Sequence, residues 1–79
     1  MQNLPRIETV ERAREVLTEM GEDQELTAHL DEWKASITKH NDQEFSVSFP
    51  HYETGVINLW NASHILLEYG DHDLYLGRA

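Results

Sequence analysis

The sequence predicts an α+β fold of two layers, with two N-terminal helices packed on a four-stranded antiparallel sheet. Three observations lead there. Apolar residues recur at helical spacing from Ile7 to Ile37, and beyond Asn41 the apolar period shortens to two. The connections in the second half are only a few residues long, which joins antiparallel neighbours. A chain of 79 residues allows one small domain, 1–79, and leaves no room for a catalytic domain beside a regulatory one. Leu, Ile, Val and Phe make up about 24% of it, above the roughly 20% below which a charged chain stays disordered.

Helix one is expected from Ile7, with apolar residues at 7, 10, 13, 16, 17 and 20 and Gly21 placed as a left-handed C-terminal cap. Its acids, Glu8, Glu11, Glu15, Glu19 and Glu22, are spaced three, four, four and three, so they cluster on the face opposite Ala13 and Leu17. Arg12 and Arg14 point away from the centre of that stripe. Helix two is expected from near Asp23 to Lys39 and His40. Asp23 and Glu25 suit the positive end of its dipole, and Leu26, Leu30, Trp33 and Ile37 form its buried seam.

The first strand, Glu44 to Phe49, alternates cleanly and stops at Pro50 before a turn from His51 to Gly55. Val56 to Trp60, His64 to Tyr69 and Leu74 to Leu76 complete the sheet, separated by Asn61-Ala62-Ser63 and Gly70-Asp71-His72-Asp73. The stretch Asn61 to Tyr69 also fits a capped helix ended by Gly70, but its β-branched and aromatic content favours strand. Alternation turns Phe45, Val47, Phe49, Ile57, Leu59, Ile65, Leu67, Tyr69, Leu74 and Leu76 towards the helices. It leaves Ser46, Ser48, Val56, Asn58, Trp60, Leu66, Glu68 and Tyr75 on an uncovered face.

Six Lys and Arg stand against fifteen Asp and Glu, a net charge of −9. No Lys or Arg lies between His40 and Gly77. A surface of that sign repels a phosphate backbone, so direct binding to nucleic acid is not expected. The chain has no cysteine, which removes thiolate nucleophiles and Cys-type zinc sites and fits a reducing compartment. The longest aliphatic run is Ile65-Leu66-Leu67, too short for a membrane span, and the charged first twenty residues hold no signal-peptide core. A cytoplasmic location without membrane contact is the expectation.

The five histidines show no short ligand spacing beyond Asp71-His72-Asp73 in a turn, so neither metal nor other cofactor is expected. Ser63 and His64 are the types a hydrolase uses, but neighbours on a strand point to opposite faces, and no catalytic residue is assigned. Gly21, Gly55, Gly70 and Gly77 each stand alone, without a phosphate-cradling loop. The chain reads as non-enzymatic.

What remains is surface. The helix-one stripe, Glu8, Glu11, Glu15, Glu19 and Glu22, can steer a basic partner by charge. The sheet side carries Tyr52, Glu53, Glu68, Asp71, Asp73 and Tyr75, with Asp42 and Glu44, around Trp60 as an aromatic anchor. The sheet face is favoured as the seat of affinity, and the stripe as the source of long-range attraction. Marginal stability at this size leaves monomer and homodimer both open.

In length, acidity, lack of cysteine and α+β character, the whole chain resembles the small inhibitors made by phages and mobile elements, including anti-CRISPR proteins and DNA mimics. The resemblance is one of character, so no family positions transfer to residues here. It implies stoichiometric blocking of a nucleic-acid-binding effector, with carboxylates occupying its basic groove and an aromatic residue supplying the apolar contact. The competing reading is an antitoxin-like or regulatory subunit that neutralises a basic protein of the host cell.

Overall fold

The computed structural model describes residues 2–78. Its elements are β1 (Gln2–Leu4), α1 (Val10–Glu19), β2 (Gln24–His29), β3 (Lys34–Asn41), β4 (Glu44–Phe49), β5 (Tyr52–Glu53), α2 (Leu59–Glu68) and β6 (Asp73–Arg78). The strands form one antiparallel sheet in the order β1-β6-β2-β3-β4-β5. Both helices pack on the same face, where Ala13, Leu17 and Leu66 meet Leu26, Ile37, Phe45, Val47 and Leu74 in a common core. The expected two leading helices on four strands are therefore replaced by six strands with one helix in each half of the chain.

The predicted second helix is a β-hairpin. Leu26 pairs with Ile37 and Ala28 with Ala35, so Leu26, Ala28, Ala35, Ile37 and Lys39 face inward while Thr27, Ser36 and Thr38 face outward. Large apolar residues alone trace a helical seam here. The true period of two is masked because two inward positions hold alanine and one holds lysine. Asp31 and Glu32 lie in the turn, which the Leu30 N–H closes by donating to the Trp33 carbonyl at 2.9 Å. The β-branched Thr27, Ile37 and Thr38 suit the pleat.

The reverse error affects Asn61 to Tyr69, which is helix. The Asn58 side chain caps α2 by accepting from the Asn61 N–H at 2.8 Å. Leu59, Ala62, Ser63 and Leu66 then follow at i, i+3, i+4 and i+7 on the inward side. The small Ala62 and the hydroxyl of Ser63 hide this stripe from a reading weighted by hydrophobicity. Ser63 is tolerated inside because its Oγ donates to the Leu59 carbonyl at 2.7 Å. Leu66, expected on the open face, is buried in the core.

Val56 to Trp60 is likewise no strand. Ile57 makes one antiparallel bridge to Phe45, through bonds of 2.9 and 2.8 Å, before the chain turns into α2. Two short strands have no counterpart in the apolar pattern, and β5 falls inside the expected turn from His51 to Gly55. β1 is three residues ahead of Pro5, and β5 is two residues after the Pro50-His51 turn, both too short to show a period. Glu44–Phe49 matches the expected strand, and the predicted Leu74–Leu76 lies within β6, which sits between β1 and β2.

α1 begins where Thr9 accepts from the Arg12 N–H at 3.1 Å. Its end departs from expectation. Met20 leaves the helix in an extended conformation, and among the described residues no glycine has a positive φ, so Gly21 is not a left-handed cap. The helix carbonyls are taken instead by the buried Lys39 of β3. Its Nζ donates to Leu17 and Thr18 at 3.0 Å each and to Met20 at 2.7 Å. An ammonium carries three donors, and three carbonyls receive them. Lys39 therefore caps a helix C-terminus, but the helix is α1 rather than one of its own.

Candidate binding surfaces

The uncovered face of the sheet is polar. A row of Asn3, Tyr75, Thr27, Ser36, Ser48 and Glu53 crosses all six strands in register. Beside it, Glu25 pairs with Thr38, and Thr38 with Ser46. Tyr75 stands on this face as expected, half-buried, with its ring 4.7 Å from that of His29 in an edge contact. Glu53 and Asp73 are exposed at strand positions. Glu68 is the last residue of α2 and Asp71 lies in the loop after it, so neither belongs to the sheet face.

Trp60 does not share that face either. It occupies the first turn of α2 in the helical layer, 60% exposed, with its ring 4.4 Å from His64. A groove between the two helix N-termini is lined by Val10, Glu11, Arg14, Trp60 and Ser63. The aromatic anchor assigned to the sheet thus stands beside Glu11 of the stripe, with Arg14 in the same groove, on the opposite side of the sheet from Tyr75. The misplacement follows directly from reading α2 as a strand.

The stripe itself is shorter than expected. Glu11, Glu15 and Glu19 lie on α1, about 6 Å apart at 1.5 Å per residue, while Glu8 precedes the helix and Glu22 follows it. All five are exposed. Arg12 does not point away, because its Nη1 donates to Glu15 Oε2 at 3.0 Å. That pair is solvated on both sides and contributes little to stability.

Fourteen of the fifteen carboxylate residues are exposed, and Glu25 is half-buried. Of the six Lys and Arg, Lys39 is buried beneath α1. The surface is therefore more one-sided than the formula charge suggests. Among the described residues no group of three or more His, Asp or Glu is placed to hold a metal ion. Ser63 and His64 do not meet, since the hydroxyl donates into the helix and the imidazole faces Trp60. Neither helix is long and apolar enough to cross a membrane.

A further surface was not anticipated. Trp33, Phe49, Tyr52, Tyr69 and His72 form a chain of aromatic contacts at the far end of α2 from Trp60, with neighbouring ring centroids 6.0 to 6.2 Å apart. Burial, and secondly the adjacent Glu68 carboxylate, pushes the Tyr69 phenol above its ordinary pKa of 10.0. The turn between β2 and β3 brings Trp33 here, the β4–β5 hairpin brings Phe49 and Tyr52, and the C-terminus of α2 brings Tyr69. Of these, the sequence pattern marks only Tyr52 as a surface contact. The expected helical seam buries Trp33, whereas in the turn it is 38% exposed.

Comparison with protein families, curated proteins and solved structures finds no match.

Proposed function

We propose that this protein is a non-enzymatic acidic inhibitor that occupies the basic, nucleic-acid-binding surface of another protein. The observation that supports this is the outward placement of almost every carboxylate, with the exposed Trp60 set in a groove that Glu11 and Arg14 of α1 also line. Carboxylates attract a Lys- and Arg-rich groove from a distance, and a desolvated tryptophan holds the complex once formed. The net charge of −9 opposes direct contact with nucleic acid.

The test is capture of the partner on immobilised protein, with elution by increasing salt or by competing duplex DNA. A DNA-displaceable partner, held far more weakly at high salt, is the expected result. Affinity that stays flat with salt would overturn the charge-based reading, because a Debye length of about 10 Å at 0.1 M already screens exposed pairs. A salt-sensitive partner that DNA does not displace would point to the antitoxin-like or regulatory alternative.

The placement of Trp60 adds a second prediction. Trp60→Ala is expected to weaken binding by about 2 kcal/mol through faster dissociation, with little change in melting temperature because the ring is exposed. Glu11→Lys with Glu15→Lys is expected mainly to slow association. Surface plasmon resonance separates the two rates. Unchanged affinity for Trp60→Ala would remove Trp60 from the interface.

A further inference from the structure

We propose that the cleft beside Trp33 receives the guanidinium of an arginine on the basic partner. This deepens the proposed function by naming what one part of the surface recognises, and it rests on that reading. The cleft is an open surface groove of about 420 Å³, lined by Glu32, Trp33, Phe49, Pro50, His51 and Tyr52. Phe49 forms its middle. Tyr52 stacks on Phe49 at 6.0 Å and 22° between planes, and Trp33 meets Phe49 edge-on at 6.1 Å and 60°. Trp33 and Tyr52 remain 38% and 65% exposed, so aromatic surface is open to an incoming group.

The charge of the cleft selects the occupant. Glu32 is exposed and supplies a carboxylate, and among the described residues no Lys or Arg lines the same space. Tyr69, whose ring is 6.1 Å from both Trp33 and Phe49, is the C-cap of α2, and the last turn of that helix holds no basic residue. The negative end of the α2 dipole is therefore left without a cation of its own beside this aromatic group. Lys34 lines an adjoining groove, with Ser36 and Ser48, that shares Glu32, Trp33, Phe49 and Pro50 with the cleft, while Tyr52 lines the cleft alone.

Aromatic faces and a carboxylate together attract a cation. An aliphatic side chain would meet the rings but make no use of the carboxylate beside them. Arginine fits better than lysine, because its planar group stacks on a ring while its N–H fork reaches a carboxylate, and it is more weakly hydrated.

The probe is hexa-arginine peptide, titrated into the full chain while the two tryptophan indole N–H signals are followed by NMR. Trp33→Phe and Trp60→Phe variants assign them. The Trp33 signal is expected to shift saturably, with affinity at that signal reduced at least threefold by Glu32→Gln and by Tyr52→Ala, and weaker for hexa-lysine. Both altered residues are exposed, and unchanged dispersion elsewhere in the spectrum verifies the fold. If the peptide moves only Trp60 and the α1 stripe, the Trp33 site is overturned while the acidic-surface reading stands. If it moves neither, both fail. A Trp33 shift unchanged by Glu32→Gln and Tyr52→Ala, or equal for hexa-lysine, also overturns the arginine assignment.

Discussion

Gly70→Ala is expected to cost roughly 3 kcal/mol of stability, lowering the melting temperature by about 12–24 °C for a domain of this size. A Cβ at Gly70 would overlap the Ile7 carbonyl oxygen and stand 3.0 Å from the carbonyl carbon. These are backbone atoms, so no rotamer change relieves the clash. At the same place the Ile7 N–H donates to the Gly70 carbonyl at 2.9 Å, joining the segment that enters α1 to the turn that leaves α2. Moving Ile7 away breaks that bond and disturbs a core side chain only 4% exposed. Gly55→Ala is the matched control, because none of the described residues lies within 4 Å of its added Cβ and its φ is not positive. There the melting temperature is expected to hold or rise slightly, since alanine restricts the unfolded chain. Thermal melts of the two variants decide the matter, and similar values for both would show that the close approach of Ile7 and Gly70 contributes little.

The parts of the fold legible in the sequence are those whose inward positions hold large apolar side chains. α1 reads from Val16, Leu17 and Met20, and β4 reads from Phe45 and Val47, all buried as expected. The hairpin of β2 and β3 and the helix α2 misled for one shared reason. Their inward positions include Ala28, Ala35, Lys39, Ala62 and Ser63, which are small or polar and yet buried. Close packing of helices on a sheet needs small residues at some contacts, and a period traced only through large hydrophobes skips them. β1 pairs with β6 from the opposite end of the chain, so its existence depends on a partner that no local pattern announces.

Site assignments inherited these errors in a specific way. The acidic character of the surface needs only composition, and the exposed stripe at Glu11, Glu15 and Glu19 needs only a correct α1. Trp60 was recognised as exposed, but the strand reading of its segment put it with Tyr75 rather than with Glu11. Trp33 is not legible as a surface residue, because a helical period assigns this turn residue to a buried seam. One signal for it was present: Asp31-Glu32 ahead of Trp33 is a polar pair between two alternating segments, which suits a hairpin turn. A turn carrying a tryptophan exposes apolar surface that the core does not require, and that is what makes such a residue a candidate for recognition.

Lys39→Met is expected to cost about 3 kcal/mol, although methionine nearly matches lysine in length and is the more apolar of the two. The reason lies in what the ammonium leaves behind. The carbonyls of Leu17, Thr18 and Met20 accept from it at the end of α1, where no residue further along that helix can donate to them. The Leu17 and Met20 bonds are buried, so water does not simply replace the lost donor. Removing the positive charge from the negative end of the helix dipole adds to the loss, and relief from desolvating an ammonium offsets part of it. Asp42 offers a competing account of Lys39, since its Oδ1 is 3.6 Å from Nζ. That carboxylate is 85% exposed, so Asp42→Asn is expected to cost under about 1 kcal/mol. Chemical denaturation ranks the two variants, and amide hydrogen exchange localises the effect, with faster exchange expected in the last turn of α1 in Lys39→Met alone. Equal losses for both variants would make the ion pair the main role of Lys39. No loss in Lys39→Met would mean that the cost of burying the ammonium cancels its three bonds, leaving α1 to end equally well without a cap.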